Sequence, residues 1–253
     1  MAKEARMVEL RGQERALLVT VDIFAMRVKG FKVEEESDEL KELARTSGVD
    51  VIDEVVCHYD KPSSSLFIGS GKAEELNLLV SEQDIDVVIF SVSLSGTQQR
   101  NLEKKIGCKV IDRTQLILDI FASHAKSLEG KMQVELAQLE YLLPRLVGQG
   151  IILSRLGAGI GTRGPGEQKL ESDRRKIRKR IAKLEADLEK VRQQRALIRK
   201  KRREEALPLI ALVGYTNAGK TTLLNSLVSE RQMTSDSLFT TLDSLSRTLV
   251  LPD

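Results

Sequence analysis

Short apolar runs alternate with helically spaced apolar residues over the first 112 positions. Four runs rich in β-branched residues predict strands: ALLVTVDIF, VIDEVVCHY, DVVIFSV and KVID. The stretches between them, SDELKELARTSG, GKAEELNLLVSEQ and LSGTQQRNLEKKIG, have the spacing of helices, and Gly107 is expected to end the last one. The alternation predicts an amino-terminal α/β domain over residues 1–112. Strands that are apolar throughout suit a sheet covered on both faces.

The pattern changes to that of long helices between residues 113 and 207. One helix is predicted from Asp112 to about Val147. A second is predicted after Gly166, because apolar residues recur there in steps of three, four or seven, like a coiled-coil seam interrupted at Arg174 and Arg195. The seam residues are Leu170, Ile177, Ile181, Leu184, Leu188, Val191 and Ile198. We expect the two helices to pack antiparallel as a projecting hairpin.

The connection between these helices, residues 148–166, contains seven glycines and predicts a flexible tip loop. Loops of this length are usually functional or disordered. Basic residues outnumber acidic ones from Lys169 to Arg203, which indicates a positive surface suited to a phosphate backbone. Candidate RNA contacts are Arg155, Arg163, Lys169, Arg174 and Arg175. The alternative for this helix is a merely solvated charged face.

The remaining residues, 208–253, have the order strand, loop, helix that opens a P-loop domain. LPLIALVG predicts a buried strand, GYTNAGKT the loop, TLLNSLVSE an amphipathic helix, and SLSRTLVLPD a further strand. The loop satisfies G-x-x-x-x-G-K-[ST] through Gly214, Gly219, Lys220 and Thr221. The alternative, a glycine-rich turn without a ligand, is weakened by the flanking strand and helix patterns.

Each position of this loop has an expected role in binding a nucleotide with Mg²⁺. Consecutive backbone N–H groups converge on phosphate oxygens, and the following helix adds its amino-terminal partial charge. Lys220 is expected to contact the β- and γ-phosphates, and the Thr221 hydroxyl to ligate Mg²⁺. The candidate nucleotide-binding residues here are Gly214, Tyr215, Thr216, Asn217, Ala218, Gly219, Lys220, Thr221 and Thr222.

A second nucleotide-binding stretch is predicted about twenty residues further on, before a strand. It comprises Phe239, Thr240, Thr241, Leu242 and Asp243. Nucleotide-dependent switches use such a threonine to complete the coordination of Mg²⁺ when the γ-phosphate is present. On spacing alone, either Thr240 or Thr241 is a candidate. An exposed loop is the simpler explanation for these residues taken alone.

Other candidate chemistry is sparse. The GSGK stretch, residues 69–72, resembles a phosphate loop and raises the hypothesis of ATP binding by the first domain, although a strand-to-helix turn explains the same residues. His58 and His124 are expected to be packed histidines rather than catalysts. Cys57 and Cys108 have no CxxC partner and are expected to be reduced thiols.

The sequence predicts where the protein is located, but its net charge does not identify a binding partner. No apolar run approaches the roughly 20 residues of a membrane span, and the amino terminus lacks the apolar block of a secretory signal, so a cytoplasmic protein is expected. The 40 basic and 37 acidic residues nearly cancel, to a net charge of +3.

Several blocks of the sequence resemble the HflX family of translation-associated GTPases. GYTNAGKT resembles the phosphate loop of that family, and FTTLD resembles its FATLD switch, which favours Thr241 as a second Mg²⁺ ligand. The blocks SGKAEEL, QQRNLEKKIGCKVIDRTQLILDIF, KMQVELAQLEYLLPRL and LSRLGAGIGTRGPGE also resemble family sequences. The chain departs from the family at Lys169, since the family commonly has GPGETQLE where residues 164–171 have GPGEQKLE.

The resemblance implies a monomeric, cytoplasmic protein that binds the large ribosomal subunit, promotes separation of ribosomal subunits under stress and hydrolyses GTP. It implies that the tip of the helical hairpin reaches ribosomal RNA near the peptidyl transferase centre. It also implies that a DxxG motif and a guanine-recognising NKxD motif follow Asp253, so no catalytic residue is assigned here. A different hypothesis is an RNA-binding assembly module with a non-catalytic, truncated nucleotide domain.

Overall fold

The computed structural model describes residues 13–24, 32–146, 165–204, 210–214, 218–228 and 246–249, with the backbone alone for 165–170. The chain divides into two compact units, Met1–Leu116 and Ile117–Asp253. The strands are β1 (Arg15–Ile23), β2 (Asp50–Tyr59), β3 (Val87–Phe90) and β4 (Lys109–Asp112). The helices are α1 (Val33–Ser47), α2 (Ser70–Glu82), α3 (Gly96–Ile106), α4 (Arg113–His124), α5 (Leu128–Arg145), α6 (Pro165–Glu204) and α7 (Lys220–Leu227).

The first unit is built on a four-stranded parallel sheet in the order β2-β1-β3-β4. Its strands match the four apolar runs of the sequence, so the predicted α/β architecture is confirmed. β1 and β3 are buried almost throughout, as expected for central strands covered on both faces. The core includes Leu17 and Phe90 from the sheet, packed with Leu76 and Leu102 of the neighbouring helices.

Local signals in the sequence set the helix ends of this unit. Gly107 has φ 88° and ends α3 in the left-handed conformation, as predicted. At the other end, the hydroxyl of Ser95 accepts a hydrogen bond from the backbone N–H of Gln98 at 3.3 Å, and the Gln98 side chain accepts from the backbone N–H of Ser95 at 2.9 Å. This reciprocal capping box satisfies donors that the first helical turn leaves unpaired.

The predicted single helix from Asp112 to Val147 is wrong, because the chain forms two helices there. α4 ends at His124, and α5 begins at Leu128 after Ser127, whose hydroxyl accepts a hydrogen bond from the N–H of Gly130 at 2.9 Å. A serine cap competes locally with continued helix, and the apolar periodicity does not reveal that competition.

In the second unit, α5 and α6 pack against each other in antiparallel directions. Arg180 pairs with Glu135, while Arg195, further along α6, pairs with Glu129, nearer the start of α5. The predicted seam is observed in part: Leu184 is buried and Ile177, Ile181, Leu188 and Val191 are half-buried. Ile198 is 52% exposed, so the prediction that the seam extends to that residue is wrong. The side chain of Leu170 and most of the predicted tip loop lie outside the described residues.

The strand predicted just before the phosphate loop is not formed by its described part, residues 210–214. Ile210 is 82% and Val213 91% exposed. An apolar run becomes a buried strand only where other strands pair with it and other elements cover it, and the structure describes no strand beside these residues. Residues 246–249 of the final predicted strand are likewise irregular, and the rest of it lies outside the described residues.

A candidate nucleotide site at the phosphate loop

The two described ends of the phosphate loop lie close together around Lys220. The Lys220 ammonium donates a hydrogen bond to the Gly214 carbonyl oxygen at 2.9 Å. A methyl group added at Gly214 would lie 3.6 Å from the Ala218 side chain and 3.8 Å from the stem of Lys220. The lysine amine therefore lies beside the first residue of the loop. Tyr215, Thr216 and Asn217 lie outside the described residues.

Gly219 permits the turn from the loop into α7. Its φ of 77° is left-handed, and nothing lies within 4 Å of the position a side chain would take. The glycine is therefore favoured by backbone conformation rather than by crowding. The turn makes Gly219 the N-cap of the eight-residue helix Lys220–Leu227, without a side-chain cap. Helix amino termini with uncapped N–H groups favour anions.

Lys220 and Thr221 are the first two residues of α7, and both are half-buried, whereas Thr222 is exposed. A lysine ammonium and a threonine hydroxyl at this helix start fit a phosphate group and Mg²⁺, because Mg²⁺ prefers oxygen ligands and keeps part of its coordination for phosphates and water. The side chains of Lys220 and Thr221 thus fit the expected nucleotide phosphate with Mg²⁺. The second predicted stretch, from Phe239 to Asp243 with Thr240 and Thr241, lies outside the described residues.

The predicted RNA contacts differ in how they are placed. Arg175 is exposed on α6, but Arg174 is half-buried, and its Nε atom is buried with no hydrogen-bond partner among the described residues. Arg174 therefore lies partly within the packed surface of the second unit and is a poorer candidate for an outside ligand than Arg175. Arg155 and Arg163, like the Lys169 side chain, lie outside the described residues.

The second glycine-lysine stretch, in the first unit, opens an ordinary helix. Gly69 is the N-cap of α2, and Gly71 and Lys72 belong to its first turn. The Lys72 ammonium donates to Glu75 Oε1 at 2.7 Å, and this hydrogen bond is the main reason that the pKa of Lys72 is raised. The lysine is engaged by its own helix, which favours the helix-start explanation over a nucleotide site.

His58 is not the packed histidine that the sequence predicted. Its side chain is 60% exposed, and its Nδ1 lies 2.8 Å from Oδ2 of Asp22, whose own side chain is 2% exposed. The two residues face each other across β1 and β2, and His58 lines a cavity of about 630 Å³ with the amino-terminal turn of α1. An aspartate within an apolar strand run was the signal for this pair. His124 is half-buried and contacts the Ile120 carbonyl oxygen of its own helix at 2.9 Å.

Both cysteines are free thiols. Burial raises the pKa of Cys57, and burial likewise raises that of Cys108 to about 11, so neither is a reactive thiolate at neutral pH. Within the described ranges, no group of three or more His, Cys, Asp or Glu side chains is placed to hold a metal ion. No helix in the described part of the chain combines the length and apolar character that a membrane crossing needs.

Comparison with known proteins decides the family. Residues 34–122 match the family described as GTP-binding GTPase N-terminal, and residues 124–202 the GTP-binding GTPase middle region. Residues 209–252 match the family described as 50S ribosome-binding GTPase. A GTPase HflX from Caldanaerobacter subterraneus subsp. tengcongensis is 52% identical over 242 residues. The chain belongs to the HflX family of GTPases.

The HflX relatives are longer than this chain. The match covers 96% of this chain but 55% of the Caldanaerobacter protein, and a match to GTPase HflX of Escherichia coli, 45% identical, covers 87% of this chain and 51% of that protein. The chain thus spans about half the length of these relatives. A solved complex of the protein SsGBP with GDP, 24% identical, aligns with a TM-score of 0.52 over 86% of this chain and 56% of its own, which supports the α/β fold.

Proposed function

We propose that this HflX-family chain is the part of a GTPase that binds the triphosphate of GTP with Mg²⁺ and engages the large ribosomal subunit, so that the complete protein promotes ribosome dissociation or rescue under stress. The observation that supports the nucleotide role most directly is the geometry of Gly214, Gly219 and Lys220. Gly219 allows the turn into α7 through its left-handed φ, and the lysine amine donates to the Gly214 carbonyl oxygen at the start of the loop. Lys220 would neutralise phosphate charge, and Thr221 would hold Mg²⁺, with Thr241 as its proposed partner in the switch.

Ribosome binding is supported by α6 and by the family description of the carboxyl-terminal match. Arg175, Arg178 and Lys179 are all exposed in the helix, whose described packing partner is α5. Exposed cations along one helix attract a phosphate backbone with a strong dependence on salt. The connection between α5 and α6, with Arg155 and Arg163, is the proposed contact with ribosomal RNA near the peptidyl transferase centre.

The test is co-sedimentation of the chain with purified large subunits at several salt concentrations, with and without a non-hydrolysable GTP analogue. We expect salt-sensitive binding that the double substitution Arg175→Glu with Arg178→Glu weakens while nucleotide affinity is retained. Lys61→Glu with Lys104→Glu, an equal charge change at two exposed positions of the first unit, is the matched control. Unchanged binding in the double variant, or no binding by the wild type, contradicts the ribosomal role.

The exposed residues before the phosphate loop favour a second candidate, an RNA-binding assembly module whose nucleotide domain does not turn over GTP. Ile210 and Val213 are almost fully exposed rather than paired in a strand. A turnover assay should compare this chain with a version extended to the full length of the relatives. Robust and equal GTP hydrolysis by both would exclude the second candidate, and hydrolysis by neither would favour it.

A further inference from the structure

Few apolar side chains are fully buried between α5 and α6. Over residues 171–204, Leu184 is the only side chain of α6 that is fully buried, and Val134 is its counterpart on α5. Ile177, Ile181, Leu188 and Val191 of the seam are half-buried, and Ile198 is exposed. An apolar seam that repeats about every seven residues permits two helices to slide by one heptad and still face each other. Apolar packing alone therefore specifies the register of this pair weakly.

Among the described residues, two ion pairs join the helices at defined positions. Nε and Nη2 of Arg180 donate to the two carboxylate oxygens of Glu135, at 2.6 Å each, a fork geometry that fixes orientation as well as distance. These hydrogen bonds lower the pKa of Glu135 and raise that of Arg180. Nearer the start of α5, Arg195 pairs with Glu129, whose side chain is 17% exposed.

The residues one heptad on either side of Arg180 have the opposite charge. They are Asp173 and Asp187, which keep intrahelical partners in Lys176 and Lys190. If α6 slid by one heptad in either direction, Glu135 would face an aspartate instead of an arginine. An exposed ion pair adds little to the free energy of folding. Here, however, Glu135 is attracted by Arg180 in the native register and repelled by an aspartate in both neighbouring registers.

We propose that Glu135 and Arg180, with Asp173 and Asp187 on either side, set the register of α5 against α6 by charge, and so position the two ends of the connecting segment. These ends are Arg145 and Pro165, the last residue of α5 and the first of α6. The link to RNA contact rests on the function proposed above; the register itself does not. Such charge-coded pairing selects against wrong registers as well as for the right one.

Glu135→Arg should shift the register of the two helices in one direction. An arginine at this position repels Arg180 but attracts an aspartate in either shifted register. If Asp187 takes the place of Arg180, Glu129 faces Arg202 and keeps an ion pair, whereas the opposite shift places Glu129 against Leu188. α6 should therefore slide towards the connecting segment, by about 10 Å at 1.5 Å per residue over seven residues.

The experiment measures the distance between spin labels on the two helices by pulsed electron paramagnetic resonance. The labels are attached to cysteines at the exposed positions Lys131 and Arg178, in the full chain with Cys57 and Cys108 replaced by alanine. The inter-label distance should lengthen by several ångströms in Glu135→Arg. Glu140→Arg, the same charge change at an exposed position of α5, should leave it as in the wild type.

A variant in which four charges are inverted keeps the test decisive if Glu135→Arg only separates the two helices. It combines Glu135→Arg and Arg180→Glu with Asp173→Lys and Asp187→Lys, which restores attraction in the native register and repulsion in the shifted ones. The inverted protein should return to the wild-type distance. An unchanged distance in Glu135→Arg, or a broad distribution that the inversion does not narrow, overturns the proposal.

Large-subunit binding by the same charge variants, measured without labels and with Arg178 and both native cysteines in place, separates this inference from the proposed function. Binding should fall in Glu135→Arg and recover in the inverted protein relative to Glu140→Arg. A distance shift without any change in binding would uphold the register and refute its link to RNA contact. Failure of the wild type to bind would refute the ribosomal role and leave the distance result to decide the register.

Discussion

The ammonium group of Lys220 lies 2.9 Å from the carbonyl oxygen of Gly214, six residues earlier in the chain. This contact joins the first glycine of the loop to the first residue of α7 and places a cation beside the start of the loop. The placement suits a group with several negative oxygens, and it is the basis of the nucleotide role proposed for this chain.

Removing the hydroxyl of Thr221 should weaken the contribution of Mg²⁺ to nucleotide binding. Thr221→Val keeps the shape of the side chain but has no oxygen to offer the metal, so the gain in nucleotide affinity on adding Mg²⁺ should shrink by about tenfold. Titration of a fluorescent nucleotide with and without Mg²⁺ measures the gain. Ser226→Ala, an exposed hydroxyl further along α7, is the control, and an equal Mg²⁺ effect in all three proteins would contradict the assignment.

Two glycines of the first unit should respond oppositely to alanine. Gly107 has φ 88°, and an added methyl group would lie 3.4 Å from the Asn77 side chain, so Gly107→Ala should lower the free energy of unfolding by about 1 to 2 kcal/mol. Gly71 lies in a helix with nothing within 4 Å of the added group, so Gly71→Ala should be neutral or stabilise by up to about 1 kcal/mol. Urea denaturation measures both, and equal effects would refute the conformational argument.

The pair Asp22 and His58 should be energetically coupled. The Asp22 carboxylate is almost fully buried, and loss of the imidazole removes one of its polar contacts. A double-mutant cycle with Asp22→Ala and His58→Ala should give a coupling free energy of about 1 to 2 kcal/mol. Additive effects of the two substitutions would show that the observed contact contributes nothing to stability.

The ion pair between Glu135 and Arg180 predicts a dependence of stability on pH. The pKa of Glu135 is lowered in the folded protein, so its contribution is fully present above the unfolded pKa of about 4.3 and is lost as the pH falls through the folded value. Wild type should be more stable than Glu135→Gln at pH 7, and the difference should narrow below about pH 4. Chemical denaturation at pH 7 and below about pH 4 measures this difference in the free energy of unfolding. A difference that stays constant with pH would contradict the prediction.

The first unit was the most predictable part of the chain, and particular residues explain why. Most residues of β1 are apolar, and Gly107 ends α3 by a backbone conformation that few other residues adopt. The break before α5 depends on one hydroxyl, that of Ser127, within a run of uninterrupted apolar periodicity. The pairing of Asp22 with His58 depends on strand register, which the sequence pattern did not predict.

The phosphate-loop motif is identified by four residues of the sequence, but the structure of the residues before it was not predictable from the sequence. Gly219 takes a left-handed conformation, which glycine adopts readily. In contrast, the apolar run ending at Val213 predicted a buried strand, and burial depends on partners far along a chain rather than on the run itself. The ion pair of Arg195 with Glu129 shows the same limit, since the sequence indicated only that the apolar seam is interrupted there.

The most direct test of the nucleotide assignment is equilibrium binding of GTP with Mg²⁺ to the wild type, Lys220→Ala and Lys72→Ala, measured by calorimetry. The two lysines each follow a glycine-containing turn at a helix start, but they belong to different units. We predict that Lys220→Ala lowers affinity by about ten- to a hundredfold and that Lys72→Ala binds as the wild type does. Binding that survives Lys220→Ala but is lost in Lys72→Ala would contradict the assignment and place the nucleotide in the first unit.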